Sequence, residues 1–128
     1  MRAKDKFLEK INLLILILSL CFSQNLNAEK IYEAFHPNAK ITGYSSQTGN
    51  LLEMSVDDFA NRVASLQPSM KEQGAAILLE ILSIEIAGST AAVRVRDAYR
   101  SLIFLDTLSF LKIDGEWKIY NKLYHVES

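Results

Sequence analysis

The stretch "SFLKIDGEWKIYNKLYH", residues 109–125, decides the fold. Alternating apolar and polar residues run up to Asp114-Gly115 and away from it again, the pattern of two antiparallel strands joined by a type I′ turn. Two similar runs precede it, "ILLEILSIEIA" (77–87) and "TAAVRVRDAY" (90–99), and its own first strand extends back as "LIFLDTLSFLK" (102–112). Gly88-Ser89 suits a type II′ turn, and Arg100-Ser101 is the least turn-like of the three links. Four consecutive strands predict an antiparallel meander.

Upstream, the chain reads as helix. "EKIYEAF" (29–35) is a short helix stopped before Pro37, because the residue before proline avoids the helical region. "AKITGYS" is a short strand, and "SQTGN" has turn chemistry. The best-marked helix begins at Ser55, whose hydroxyl caps it, with Asp58 in the capping-box position and Met54 and Phe59 as staple residues. Val56, Phe59, Val63 and Leu66 form its apolar stripe, and Pro68 closes it. Residues 69–76 read as a loop. Helices ahead of a meander make the fold class α+β.

The first 28 residues do not look like part of that domain. Arg2, Lys4, Lys6 and Lys10 precede "INLLILILSLCF", a twelve-residue run in which only Asn12 and Ser19 are polar. A membrane span needs about 20 apolar residues and a signal core about 7–15. With Ala28 as the small residue before the cut, residues 1–28 read as a secretory signal and 29–128 as one domain, exported to the periplasm or medium. The membrane is then met only during export. The mature part would hold ten basic and thirteen acidic residues, which argues against a nucleic-acid partner. The only cysteine, Cys21, lies in the apolar run, so no disulfide or thiol chemistry is expected of the mature chain; the alternative for Cys21 is a lipoprotein signal.

"FHPNAKITG", "MSVDDFANRV" and "FLDTLSFLKIDGEWKIYNKLYH" together resemble the "putative lumazine-binding" family of the nuclear transport factor 2-like superfamily, over residues 30–126. The resemblance implies a cone-shaped α+β fold, with helices in the concave face of a curved antiparallel sheet and frequent dimerisation. The family name implies a pteridine-like ligand. Members carry a long first helix before the His-Pro corner, whereas removal of the signal leaves about two turns here. Either that helix is truncated, or the apolar segment stays attached and supplies it.

Uniform alternation through tight turns predicts a register. It sets Asn121 opposite Leu108, Leu123 opposite Asp106, His125 opposite Phe104, Asp97 opposite Phe104, and Glu80 opposite Asp97. The inner face then carries Phe104 and Trp117 with Glu80, Asp97, Asp106, Asn121 and His125 toward one end. Lys118, Tyr120, Lys122 and Tyr124 fall on the outer face. A buried carboxylate is costly unless paired, so these polar residues are the candidate ligand-binding set. Asp106 and His125 are the candidates for proton transfer, Asn121 for a carbonyl or lactam edge, and Trp117 and Phe104 for flat apolar contact. Tyr32 and His36 read as packing and turn residues. Two histidines among scattered acids make no metal signature, and no cofactor is expected.

Three functions fit these residues. The first is binding of a small apolar or aromatic molecule. The second is proton-transfer catalysis of the polyketide-cyclase or ketosteroid-isomerase type, through Asp106 or His125. The third is a homodimeric interaction module with no active pocket. Tyr120, Tyr124, Ile103 and Leu105 are apolar enough to place a homodimer contact on the outer sheet face.

Overall fold

The computed structural model describes residues 28–65, 79–99 and 102–127. The segment expected to be a signal, residues 69–76 expected to be a loop, and the expected turn at Arg100-Ser101 lie outside the described residues. Among the described residues, two helices, α1 (Ala28–Ala34) and α2 (Val56–Ser65), accompany six strands. These are β1 (Phe35–Tyr44), β2 (Leu51–Ser55), β3 (Leu79–Ala87), β4 (Thr90–Tyr99), β5 (Leu102–Ile113) and β6 (Glu116–Val126). They form one sheet in the order β2-β1-β6-β5-β4-β3.

The meander is as expected, and its two described turns show why. Asp114 and Gly115 both adopt positive φ, 52° and 81°, as a type I′ turn demands. Gly88 alone does so in its turn, at 62°. Two features were not expected. β1 runs the full length from Phe35 and lies parallel to β6, and Leu51–Ser55 form an edge strand antiparallel to β1.

α2 starts as its sequence suggests, the Asp58 backbone N–H donating to Ser55 Oγ at 3.1 Å. Helices and sheet share one core. Ile31 and Ala34 of α1 and Val56 and Ala60 of α2 meet Ile41, Val93, Val95, Leu108, Phe110, Trp117 and Ile119. Burying a side chain of this kind contributes about 1.5–3 kcal/mol. The two helices are tied at the surface by Tyr32, whose hydroxyl donates to Asp57 Oδ1 at 2.7 Å. His36 makes its turn, Nδ1 accepting from the Asn38 backbone N–H at 3.0 Å. The Lys118 ammonium donates to the Glu33 carbonyl in the last turn of α1, one of the carbonyls a helix end leaves unpaired.

Two β-bulges set which side chains face inward. On β6, Ile119 pairs with Phe110, but the next ladder pair is Asn121 with Ser109, leaving Tyr120 as an extra residue. β1 is irregular at the same level, pairing with β6 through Phe35 and then Lys40, so that residues 36–39 of the strand have no ladder partner on β6. The His36 and Tyr120 rings meet there, 5.2 Å between centroids. On β3, Leu82 is the extra residue between the pairs Ile81–Val95 and Ser83–Arg94. A bulge adds one residue to one strand, which inverts every side chain beyond it and bends the sheet.

Candidate functional site

These bulges rearrange the predicted polar set. On β4 and β5 the register is as expected: Asp97 pairs with Phe104, and Asp106 with Val95. Asp97, Asp106 and Phe104 therefore share the inner face. Beyond Tyr120, however, β6 is inverted. Asn121 pairs with Ser109, Leu123 with Thr107 and His125 with Leu105, so all three lie on the outer face. His125 is exposed, and no described contact joins it to Asp106. Glu80 is corrected in the same way. It pairs with Arg96 rather than Asp97, and its carboxylate meets the Arg96 guanidinium at 3.2 Å on the outer face, with Glu127 as a second partner at 3.2 Å. Turning Glu80 outward avoids the cost of burying another carboxylate.

Trp117 does face the core, where it is buried, but it pairs with Lys112. Six steps along β5 separate Lys112 from Asp106, about 20 Å at the rise of an extended strand. Trp117 thus belongs to the other end of the sheet, with the Lys112 ammonium 5.9 Å from its ring centroid.

The inverted half of β6 brings in two residues that uniform alternation put outside: Lys122 and Tyr124. Tyr124 pairs directly with Asp106, and Lys122 with Leu108, one diagonal step away. The Lys122 ammonium stands 3.7 Å from Asp106 Oδ2 and 5.2 Å from the centroid of the Phe59 ring. Tyr124 meets Phe104 edge to face, with centroids 6.2 Å apart. Asp97 on β4, Asp106 on β5 and Lys122 on β6 therefore form a diagonal across three strands, bordered by Phe104, Tyr124 and Phe59. Tyr124 fits because its neighbour on β1 is Gly43, where a Cβ would overlap the tyrosine ring. A glycine near the end of β1 is the signal in the sequence that a ring lies across it.

The electrostatics are those of a buried carboxyl pair with one cation. Asp106 is only 4% exposed, the one buried charged residue among those described. Asp97 is half-buried, and its carboxyl is pushed from the ordinary value of 3.8 up to about 7. The main cause is desolvation; the neighbouring Asp106 raises it further, by charge and by a side-chain hydrogen bond, while Lys122 pulls it back. Asp97 Oδ1 and Asp106 Oδ1 are both buried and have no hydrogen-bond partner among the described residues. The arrangement can hold or release one proton near neutral pH, and it has acceptor atoms to spare. No group of three or more His, Cys, Asp or Glu among the described residues is placed to hold a metal ion.

Solved structures share this fold. A nuclear transport factor 2-like protein of unknown function from Silicibacter pomeroyi is 20% identical, with a TM-score of 0.81 over 99% of this chain and all of that one. One from Shewanella baltica is 19% identical, TM-score 0.78, covering 100% and 98%. A third, from Methylobacillus flagellatus, is 24% identical, TM-score 0.70, covering 100% and 96%. No curated protein matches the chain. The family described as "Putative lumazine-binding" matches residues 23–125, which include both helices and nearly all of the six strands. The chain belongs to that family, with the nuclear transport factor 2-like α+β fold.

Proposed function

We propose that the chain is a small-molecule-binding domain whose ligand is received on the concave sheet face, against Asp97, Asp106 and Lys122. The observation that carries this reading is the buried Asp106 carboxyl, whose Oδ1 accepts no hydrogen bond among the described residues. Leaving such a group unsatisfied costs about 1–3 kcal/mol or more, so a ligand donor there is strongly favoured. Phe104, Tyr124 and Phe59 suit a flat, largely apolar body, and the family's description, which names a heterocycle, supports the same reading. A melting-temperature screen of the full chain against flat heterocycles tests it. Binders should raise the melting temperature of the parent and lose that effect in Asp106→Asn. Stabilisation unchanged in that variant, but lost in an outer-face variant, would overturn it.

A proton-transfer enzyme is the second reading, and Asp97 near 7 favours it, since a carboxyl matched to the working pH exchanges protons efficiently. The role then moves to Asp97 from Asp106 or His125. Deuterium exchange at the α-carbon of a cyclic ketone, followed by NMR, should be accelerated by the parent and not by Asp97→Asn.

Export and assembly complete the proposal. The basic start and apolar run support a cleaved signal, so exported protein should begin at Glu29; an intact Met1 in the membrane fraction would contradict it. A second copy is the proposed occupant of the outer face. Tyr120 and Leu123 are exposed there, and a groove of about 370 Å³ lined by Ala92, Ser109, Leu111 and Tyr120 among others offers a seat for a partner side chain. Arg94 and Glu85, both exposed on neighbouring strands of that face, give it the mixed charge that a self-complementary contact needs. Light scattering should give a dimer that Leu123→Glu dissociates; a monomer at high concentration would contradict the assembly.

A further inference from the structure

Resting on the binding site proposed above, one more step concerns the charge of the ligand. Asp97, Asp106 and Lys122 carry two potential negative charges and one positive, inside a largely desolvated cluster. With both carboxyls ionised the cluster has an uncompensated negative charge, which burial disfavours. A proton on Asp97, whose carboxyl is pushed up to about 7, offsets that imbalance. A ligand cation would meet it equally well and would also supply hydrogen-bond donors.

We infer that this site takes a planar organic cation of the amidinium or guanidinium class, whose paired N–H groups donate to Asp97 Oδ1 and Asp106 Oδ1. Three features select this class. The two acceptor oxygens belong to neighbouring carboxyls one diagonal step apart on adjacent strands, and two N–H groups on one carbon can donate to two carboxylates at once. The flanking rings of Phe104, Tyr124 and Phe59 accept a flat cation, as Phe59 already accepts the Lys122 ammonium at 5.2 Å. And approach is past the partly exposed Asp97 and the long Lys122 side chain, which holds Asp106 at 3.7 Å, a distance too long for a hydrogen bond.

Among the described residues, the groups facing Asp97 are few. Asp106 comes from β5, and Lys122 and Tyr124 from β6; Phe59 from α2 is uncharged. Glu80 and Arg96, its neighbours on β3 and β4, point to the other face. Binding of a cation therefore expels the Asp97 proton. Affinity should weaken about tenfold for each pH unit below 7, as proton and cation compete.

The test is calorimetric titration of the full chain with benzamidine, with neutral benzamide and anionic benzoate as isosteres, from about pH 6 to pH 8 in two buffers of different ionisation heat. The expected result is that benzamidine alone binds well, tightens with rising pH, and releases protons to the buffer. Asp97→Asn should lose at least about tenfold in affinity and all of the proton release, whereas His125→Ala should match the parent. Proton release by the parent decides the matter even if Asp97→Asn fails to fold. Benzamide binding as well as benzamidine, or tighter binding at low pH, would overturn the cation assignment and leave the pocket standing. If none of the three binds, both the assignment and the pocket fall.

Discussion

Asp97→Asn is the substitution whose consequence can be worked most fully. A carboxyl raised from 3.8 when unfolded to about 7 when folded stabilises the fold only while it is protonated. That stability is fully present below the unfolded value and is lost as pH rises through 3.8 towards 7. Linkage puts the loss at about 3 kcal/mol between roughly pH 4.5 and 7.5. A domain of this size shifts its melting point by roughly 4–8 °C per kcal/mol, so the parent should lose about 12–24 °C relative to Asp97→Asn over that range. Asparagine keeps the shape and cannot ionise, so its curve reports every other titrating group, and the difference between curves reports Asp97. Thermal melts by circular dichroism across the window are sufficient. Parallel curves, or a variant that weakens relative to the parent as pH rises, would refute the desolvated placement of this carboxyl.

Gly43→Ala should destabilise the domain by about 1–3 kcal/mol, because the added methyl overlaps the Tyr124 ring and drives it off Phe104; denaturant unfolding measures this, and an unchanged midpoint would contradict the close approach. His125→Ala should change stability by no more than about 0.5 kcal/mol and leave ligand binding intact, as its side chain is exposed on the outer face. A loss of binding in His125→Ala would show that β6 carries no bulge in solution.

Much of the fold was legible in the sequence because its signals are local. Asp114-Gly115 and Gly88 need positive φ, Ser55 caps a helix, and four runs alternate with period two. The sequence marks β1 as shorter than it is because Pro37 interrupts its pattern, and it does not mark β2 because Leu51–Ser55 form an edge strand with mostly exposed side chains, hence little alternation. The candidate site was half legible for a sharper reason. A bulge costs one residue and leaves composition unchanged. Beyond Tyr120, each register offers a mixed face, Asn121-Leu123-His125 or Lys122-Tyr124-Val126, and hydrophobicity does not separate them. What separates them lies far away in sequence: Gly43, whose missing side chain makes room for Tyr124, and the irregular stretch of β1 between Phe35 and Lys40, where His36 meets the extra Tyr120. Asp97 and Asp106 were placed correctly because the β4–β5 ladder between them has no irregularity. Their cation, Lys122, was hidden by the bulge.

The account rests on Asp97, Asp106 and Lys122 forming one electrostatic cluster. The most direct test is an NMR titration of the Asp97 side-chain carboxyl carbon in the full chain and in Lys122→Met. The account predicts a midpoint near 7 in the parent and a higher one in the variant, because Lys122 holds the carboxyl down against desolvation and Asp106. A parent midpoint at the ordinary 3.8, or one that does not move when Lys122 is removed, would contradict it.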